Sequence, residues 1–136
     1  MDEREARQRF AQARVARLAT VRPDGAPHVV PVVFATDADT VVSIVDAKPK
    51  RSPRLQRLAN VRHEPRVSLL VDRYDDDWRT LWWVRADGTA HVVETGPGHE
   101  RATALLAGKY EQYRAERPDG PVLEIHVQAW RWWSFA

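Results

Sequence analysis

Val15-Ala16-Arg17-Leu18-Ala19-Thr20-Val21-Arg22-Pro23-Asp24-Gly25-Ala26-Pro27-His28-Val29-Val30-Pro31-Val32-Val33-Phe34-Ala35 is the stretch on which the fold turns. Two apolar runs, Val15 to Val21 and His28 to Ala35, flank Arg22-Pro23-Asp24-Gly25. Asp-Gly between apolar runs is a strong hairpin signal, so the first two strands are expected to pair. Pro31 lies inside the second run and cannot donate to a ladder, which makes its position an edge, a bulge, or backbone turned toward something other than a strand.

The same turn chemistry recurs. Arg85-Ala86-Asp87-Gly88 stands between Leu81-Trp82-Trp83-Val84 and His91-Val92-Val93, and Arg117-Pro118-Asp119-Gly120 precedes the last strand. That last strand alternates cleanly, with Leu123, Ile125, Val127 and Ala129 on one face and Glu124, His126 and Gln128 on the other. His28 to Phe34 and Val67 to Val71 are almost continuously apolar, which predicts strands covered on both faces, by a barrel interior and by a helix or a partner. Helical spacing is confined to residues 3 to 14, to a signal opening at Leu55 and Leu58, and to one amphipathic stretch between Glu100 and Arg114. About six strands with two to three helices predict a mainly β domain over residues 1–136, a six-stranded antiparallel Greek-key barrel with appended helices.

A chain of 136 residues suits one such domain and can bury about two thirds of its unfolded surface. Cysteine is absent, which excludes disulfide frameworks, thiolate metal sites and cysteine nucleophiles. No apolar run reaches the roughly 18 residues of a membrane span, and the charged start Met1-Asp2-Glu3-Arg4-Glu5 is unlike a signal peptide, so a cytoplasmic protein without membrane partners is expected. The formal net charge is only +2, and the basic segment from Asp46 to Arg66 contains no aromatic residue for base stacking, which argues against nucleic acid. Walker, Gly-x-Ser-x-Gly and His-Glu-x-x-His motifs are missing, and Gly96-Pro97-Gly98 reads as a turn.

Three features are candidates for function. Asp46-Ala47-Lys48-Pro49-Lys50-Arg51-Ser52-Pro53-Arg54 follows an apolar run and carries four cations on a proline-stiffened connection, either an anion cradle or a solvated basic loop. Asp75-Asp76-Asp77 cannot easily converge on one ion, since successive extended residues point to opposite sides, but Trp78 closes that loop where a core residue is unexpected. Six tryptophans exceed what one small barrel readily buries, which predicts an aromatic interface. The five histidines lie apart, none paired at metal-ligand spacing on one helix, so no metal site is expected.

Asp24 to Val32, Ser43 to Arg54, and Pro65-Arg66-Val67-Ser68-Leu69-Leu70-Val71-Asp72 together resemble the flavin and deazaflavin oxidoreductases of the split β-barrel, pyridoxamine-phosphate-oxidase-like superfamily. Tyr74 to Trp78, Trp82 to Gly88 and Lys109-Tyr110-Glu111-Gln112-Tyr113 resemble its actinobacterial branch that uses coenzyme F420. The Leu55 to Glu64 stretch is longer than the usual link between cradle and strand. The resemblance implies a homodimer with two cofactor sites, each built from both chains. It places cofactor phosphate at Lys48 and Lys50, with Arg51 and Arg54 nearby, and the ring against backbone of Val30, Pro31 and Val32. Trp78 is implied to reach the cofactor of the facing subunit. The implied activity is hydride transfer from reduced F420 to a small electron-poor molecule. FMN chemistry on the same fold, or a non-catalytic carrier, is the alternative, and no catalytic residue is identified.

Overall fold

The computed structural model describes residues 1–45 and 55–136. Its elements in chain order are α1 (Glu3–Gln12), β1 (Ala16–Val21), β2 (Pro27–Val32), β3 (Ala35–Asp37), β4 (Thr40–Ile44), α2 (Leu55–His63), β5 (Arg66–Arg73), a 3-10 turn (Trp78–Thr80), β6 (Trp82–Val93), α3 (Pro97–Lys109), α4 (Glu111–Ala115) and β7 (Val122–Ser134). The strands form one sheet in the order β2-β1-β5-β6-β7-β4-β3, antiparallel throughout.

Strands β2 and β3 stand at opposite edges of that sheet, yet only Val33 and Phe34 separate them in sequence. The sheet must therefore curl until its edges approach. Its concave side encloses one apolar cluster drawn from both ends, Val32 of β2 and Val41 of β4 included. The crossing is pinned where Ser43 Oγ donates to the Val33 carbonyl at 2.7 Å and the Phe34 N–H donates to the Tyr110 hydroxyl at 3.1 Å. The expected closed barrel of six strands is thus corrected: among the described residues there are seven, the extra one being short β3, and no ladder joins β2 to β3. Pro31 sits on an edge strand, where a missing N–H costs nothing to the ladder.

Both ends of the core are plugged by helices. Asp2 caps α1 by accepting from the Glu5 N–H at 2.9 Å, and Phe10 on its inner face meets Phe34 and Trp130 with ring centroids 5.0 and 5.1 Å away. Helix α2 contributes Leu58 and Val61, and its buried Asn60 is satisfied by donating to Thr20 at 2.9 Å and accepting from Gln56 at 2.7 Å. A second, smaller core lies where Ala102, Leu106 and Tyr110 pack on Val42, Ile44 and Val122. The single late helix expected over residues 100 to 114 is two, because Tyr110 takes extended backbone (φ −116°) where its hydroxyl is held against the Phe34 crossing. No helix among the described residues is long and apolar enough to cross a membrane.

Asp87-Gly88 is not a hairpin turn. Strand β6 runs through it and pairs with β7 along its whole length, Asp87 opposite Ala129 and Gly88 opposite Val127, so that Gln128 is an extra residue and the ladder bulges. Glycine is required there because a Cβ on residue 88 would run into the carbonyl of His126. The tryptophan excess is also partly absorbed by the chain itself. Trp130 is buried, Trp82 and Trp132 pack on the main core, and α1 lies over them, with Arg7 5.1 Å from the Trp130 ring and Arg9 5.2 Å from that of Trp82.

Candidate functional site

The convex face of β2, β1, β5 and β6 carries no helix among the described residues, and its side chains follow from the register. Pro31, Arg17, Leu70 and Arg85 stand in one row across the strands; Val29, Ala19, Ser68 and Asp87 stand in the next. Asp72 faces Trp83 toward one end of the sheet. All of these except Pro31 and Asp87, together with Tyr74, surround a hollow of about 580 Å³, a size typical of small-molecule sites. Ala19 is the smallest side chain of its row and leaves room at the centre. A neighbouring hollow of about 450 Å³ shares Ala19 and Ser68 and extends toward Glu64, Arg66 and Gly88.

The floor is apolar and the rim is charged. Ser68 Oγ donates to Asp87 Oδ1 at 2.7 Å, and Arg85 Nε donates to the same oxygen at 2.9 Å. Burial pushes the Asp87 carboxyl up, but these donors outweigh it and hold the group below its usual range, so it stays an anion at neutral pH. Arg66 grips Glu64 through its side chain at 2.6 Å and holds that carboxyl down to about 2. Arg17, by contrast, has no ion-pair or hydrogen-bond partner among the described residues. A flat polar-edged ligand set on Leu70 and Val29 would meet an uncommitted guanidinium.

At the wide end the aromatic side chains are unfilled. Tyr74 stacks on Trp133 with centroids 6.5 Å apart, both largely exposed, and Phe135 is exposed at the end of the chain beyond β7. Trp78 is 68 % exposed on its 3-10 turn. Two of the three aspartates before it are spent locally: Asp75 accepts from the Asp77 N–H at 2.9 Å and from Thr80 Oγ1 at 3.2 Å, while Asp77 accepts from Arg79 Nε at 3.0 Å. They close a loop and assemble no metal site.

The anticipated site residues separate into groups. Lys48, Lys50, Arg51 and Arg54 lie outside the described residues. Val32 is in the core and Val30 packs against it, while Pro31 faces outward beside Val29, which is 61 % exposed. Trp78 does not line the hollow within one chain. Sequence reasoning missed Arg17, Ser68, Asp72 and Arg85. The signal was present in β5, whose alternation of buried and half-buried positions, Val67, Leu69 and Val71 inward and Ser68 and Leu70 outward, is hidden by the apolar character of Leu70. His28 points inward with its Nδ1 buried and unpartnered among the described residues.

A family model described as pyridoxamine 5'-phosphate oxidase matches residues 2–134. Among solved structures, a conserved hypothetical protein from Mycobacterium tuberculosis superimposes with a TM-score of 0.79 at 25 % identity, covering 98 % of this chain and 85 % of that one. A heme binding protein from Mycobacterium smegmatis gives 0.74 at 23 % identity over 95 % of this chain, which spans 52 % of that protein. An FAD-binding protein from Mesorhizobium loti gives 0.70 at 20 % identity, covering 97 % and 92 % of the two chains.

Proposed function

As the chain belongs to the pyridoxamine 5'-phosphate oxidase family, we propose that it is a homodimeric oxidoreductase that holds a deazaflavin, coenzyme F420, against the hollow on its convex sheet face. The observation that carries this reading is the combination found there: an apolar floor on rigid strands, an aromatic end, and Arg17 without a partner. The residues fit the group. A tricyclic ring needs a flat apolar support about as wide as two strands, and Ala19, Val29 and Leu70 supply one. Proteins of this fold that bind FAD or heme, flat conjugated molecules, are in keeping with that support.

When bound, a reduced deazaflavin supplies a hydride to an electron-poor organic substrate. The protein's own share is binding and orientation. Lys48 and Lys50 hold the phosphate, with Arg51 and Arg54 beside them; backbone of Val30, Pro31 and Val32 borders the ring, and Arg17 meets its polar edge. A second subunit covers the hollow and brings Trp78 over the ring, excluding water. Asp87, kept anionic by Arg85 and Ser68, fixes Arg85 in place. No acid or base need be assigned for this chemistry, since positioning alone contributes a large rate factor. FMN is the alternative cofactor, and a cofactor carrier without turnover is the alternative role.

Absorbance titration of the purified protein with F420 and separately with FMN tests the reading. A perturbed deazaflavin spectrum with tighter binding than FMN is expected. Preference for FMN transfers the proposal to that cofactor, and binding of neither overturns it. Replacing Lys48 and Lys50 together by alanine should weaken binding by well over tenfold, since each charge-assisted contact contributes about 1.5–3 kcal/mol.

A further inference from the structure

The histidines that lie apart in sequence meet on the sheet. His91 of β6 stands directly opposite Glu124 of β7, and His126 is two residues along β7, on the same convex face and beyond the bulge from the hollow. Glu124 Oε1 is 3.2 Å from His126 Nε2 and 3.8 Å from His91 Nε2. The two imidazoles lie parallel, 8° between planes and 5.5 Å between centroids, so that both present Nε2 on one side. The three ligand atoms all fall within 4.8 Å of one another.

We propose that His91, Glu124 and His126 form a binding site for a divalent transition-metal ion of borderline softness, with zinc the natural occupant. The donor set decides the class of ion: two neutral imidazoles and one carboxylate suit zinc, cobalt or nickel and are unsuited to calcium or magnesium, which take oxygen ligands. The spacing decides that a single ion can be shared. Two donors each about 2.0–2.1 Å from zinc at the tetrahedral angle are about 3.4 Å apart, between the two distances observed from Glu124. Each neutral ring offers its Nε2 lone pair to an ion when its proton sits on Nδ1.

Glu124 is the least exposed of the three side chains, about 20 % open to solvent. Its second oxygen lies 4.0 Å from where a side chain on Gly98 would begin, so the first turn of α3 passes close over it. The histidines are more than half exposed, which leaves the fourth coordination position facing solvent. Such a site bridges the two longest strands of the sheet.

Calorimetric titration of EDTA-stripped, tag-free protein with zinc chloride tests the assignment, alongside the visible d–d absorption of the cobalt-loaded form. One zinc per chain and an intense tetrahedral cobalt spectrum are expected. His91→Ala, His126→Ala and Glu124→Gln should each weaken binding by at least about tenfold, since loss even of an outer partner to a metal ligand commonly costs 10–100-fold. His63→Ala, at the exposed end of α2, should leave binding unchanged. Should a ligand variant fold poorly, the unchanged protein decides: zinc must raise its melting temperature and the cobalt bands must appear. Absence of binding by the unchanged protein, or binding that survives all three substitutions, overturns the site.

Discussion

Tyr110 shows how one side chain can fix a topology. Its hydroxyl accepts from the Phe34 N–H at 3.1 Å and lies 2.9 Å from both the Phe34 and Arg14 carbonyls, donating to one of them, at the point where the chain passes from one sheet edge to the other. Tyr110→Phe leaves a buried N–H without a partner, and urea unfolding should show a loss of about 1–3 kcal/mol. Lys109 is a neighbour with a different constraint. Its ammonium sits 3.8 Å from the Phe34 ring centroid and donates to the Ala13 carbonyl at 2.6 Å, yet burial, with Arg14 nearby, pushes its pKa from the ordinary 10.5 down to about 8. The folded chain therefore releases this proton before the unfolded chain does. Below about 8 both forms are charged and the burial penalty is fully present; between about 8 and 10.5 the unfolded chain binds more protons, so stability rises with pH. Unfolding free energy measured across that window should rise in the natural chain relative to Lys109→Met, and parallel curves for the two would count against the shifted lysine.

At the scale of elements, Gly88 separates what a motif says from what a strand does with it. Asp24-Gly25 and Asp87-Gly88 are the same dipeptide between apolar runs; the first makes a hairpin with Gly25 at φ +87°, the second a bulge in a continuous strand. Gly25 has open space where a side chain would go, whereas one on residue 88 would collide with β7. Gly88→Ala should therefore cost about 1–3 kcal/mol by overpacking, read as a lower denaturant midpoint at unchanged m-value. The contrast also explains what was legible beforehand. Helix α1, the β1–β2 hairpin and the alternation of β7 depend on local pattern and could be read, whereas the edge position of Pro31 was one of three alternatives. Short β3, the break at Tyr110 and the bulge depend on contacts between residues far apart in sequence and could not. The same holds for sites: Trp78 stands out from its own neighbours, but Arg17, Ser68 and Arg85 become one surface only through pairings across three strands.

At the scale of the molecule, a curled sheet has two surfaces and this chain covers one and a half of them. The concave side is filled and plugged by α1 and α2, and α3 covers the convex side over β3 and β4. What the described residues leave bare is the convex side of β2, β1, β5 and β6, with Val29, Tyr74 and Trp133 exposed on or beside it. Exposed apolar area gathered on one face of a sheet points to burial against another protein surface. The proposed dimer uses this face, and shared burial there is also what would enclose the cofactor. Light scattering at micromolar concentration should accordingly give twice the chain mass. Leu70→Glu sets a carboxylate at the centre of the face, beside Arg17 and Arg85, where it is solvated in the monomer and desolvated in the dimer. That variant should be a folded monomer that has lost cofactor binding as well, whereas Trp78→Ala should remain dimeric and lose binding or turnover alone. A monomeric natural protein would sink the shared-site reading; a Leu70→Glu chain that is still a dimer and still binds cofactor would move the interface to another face.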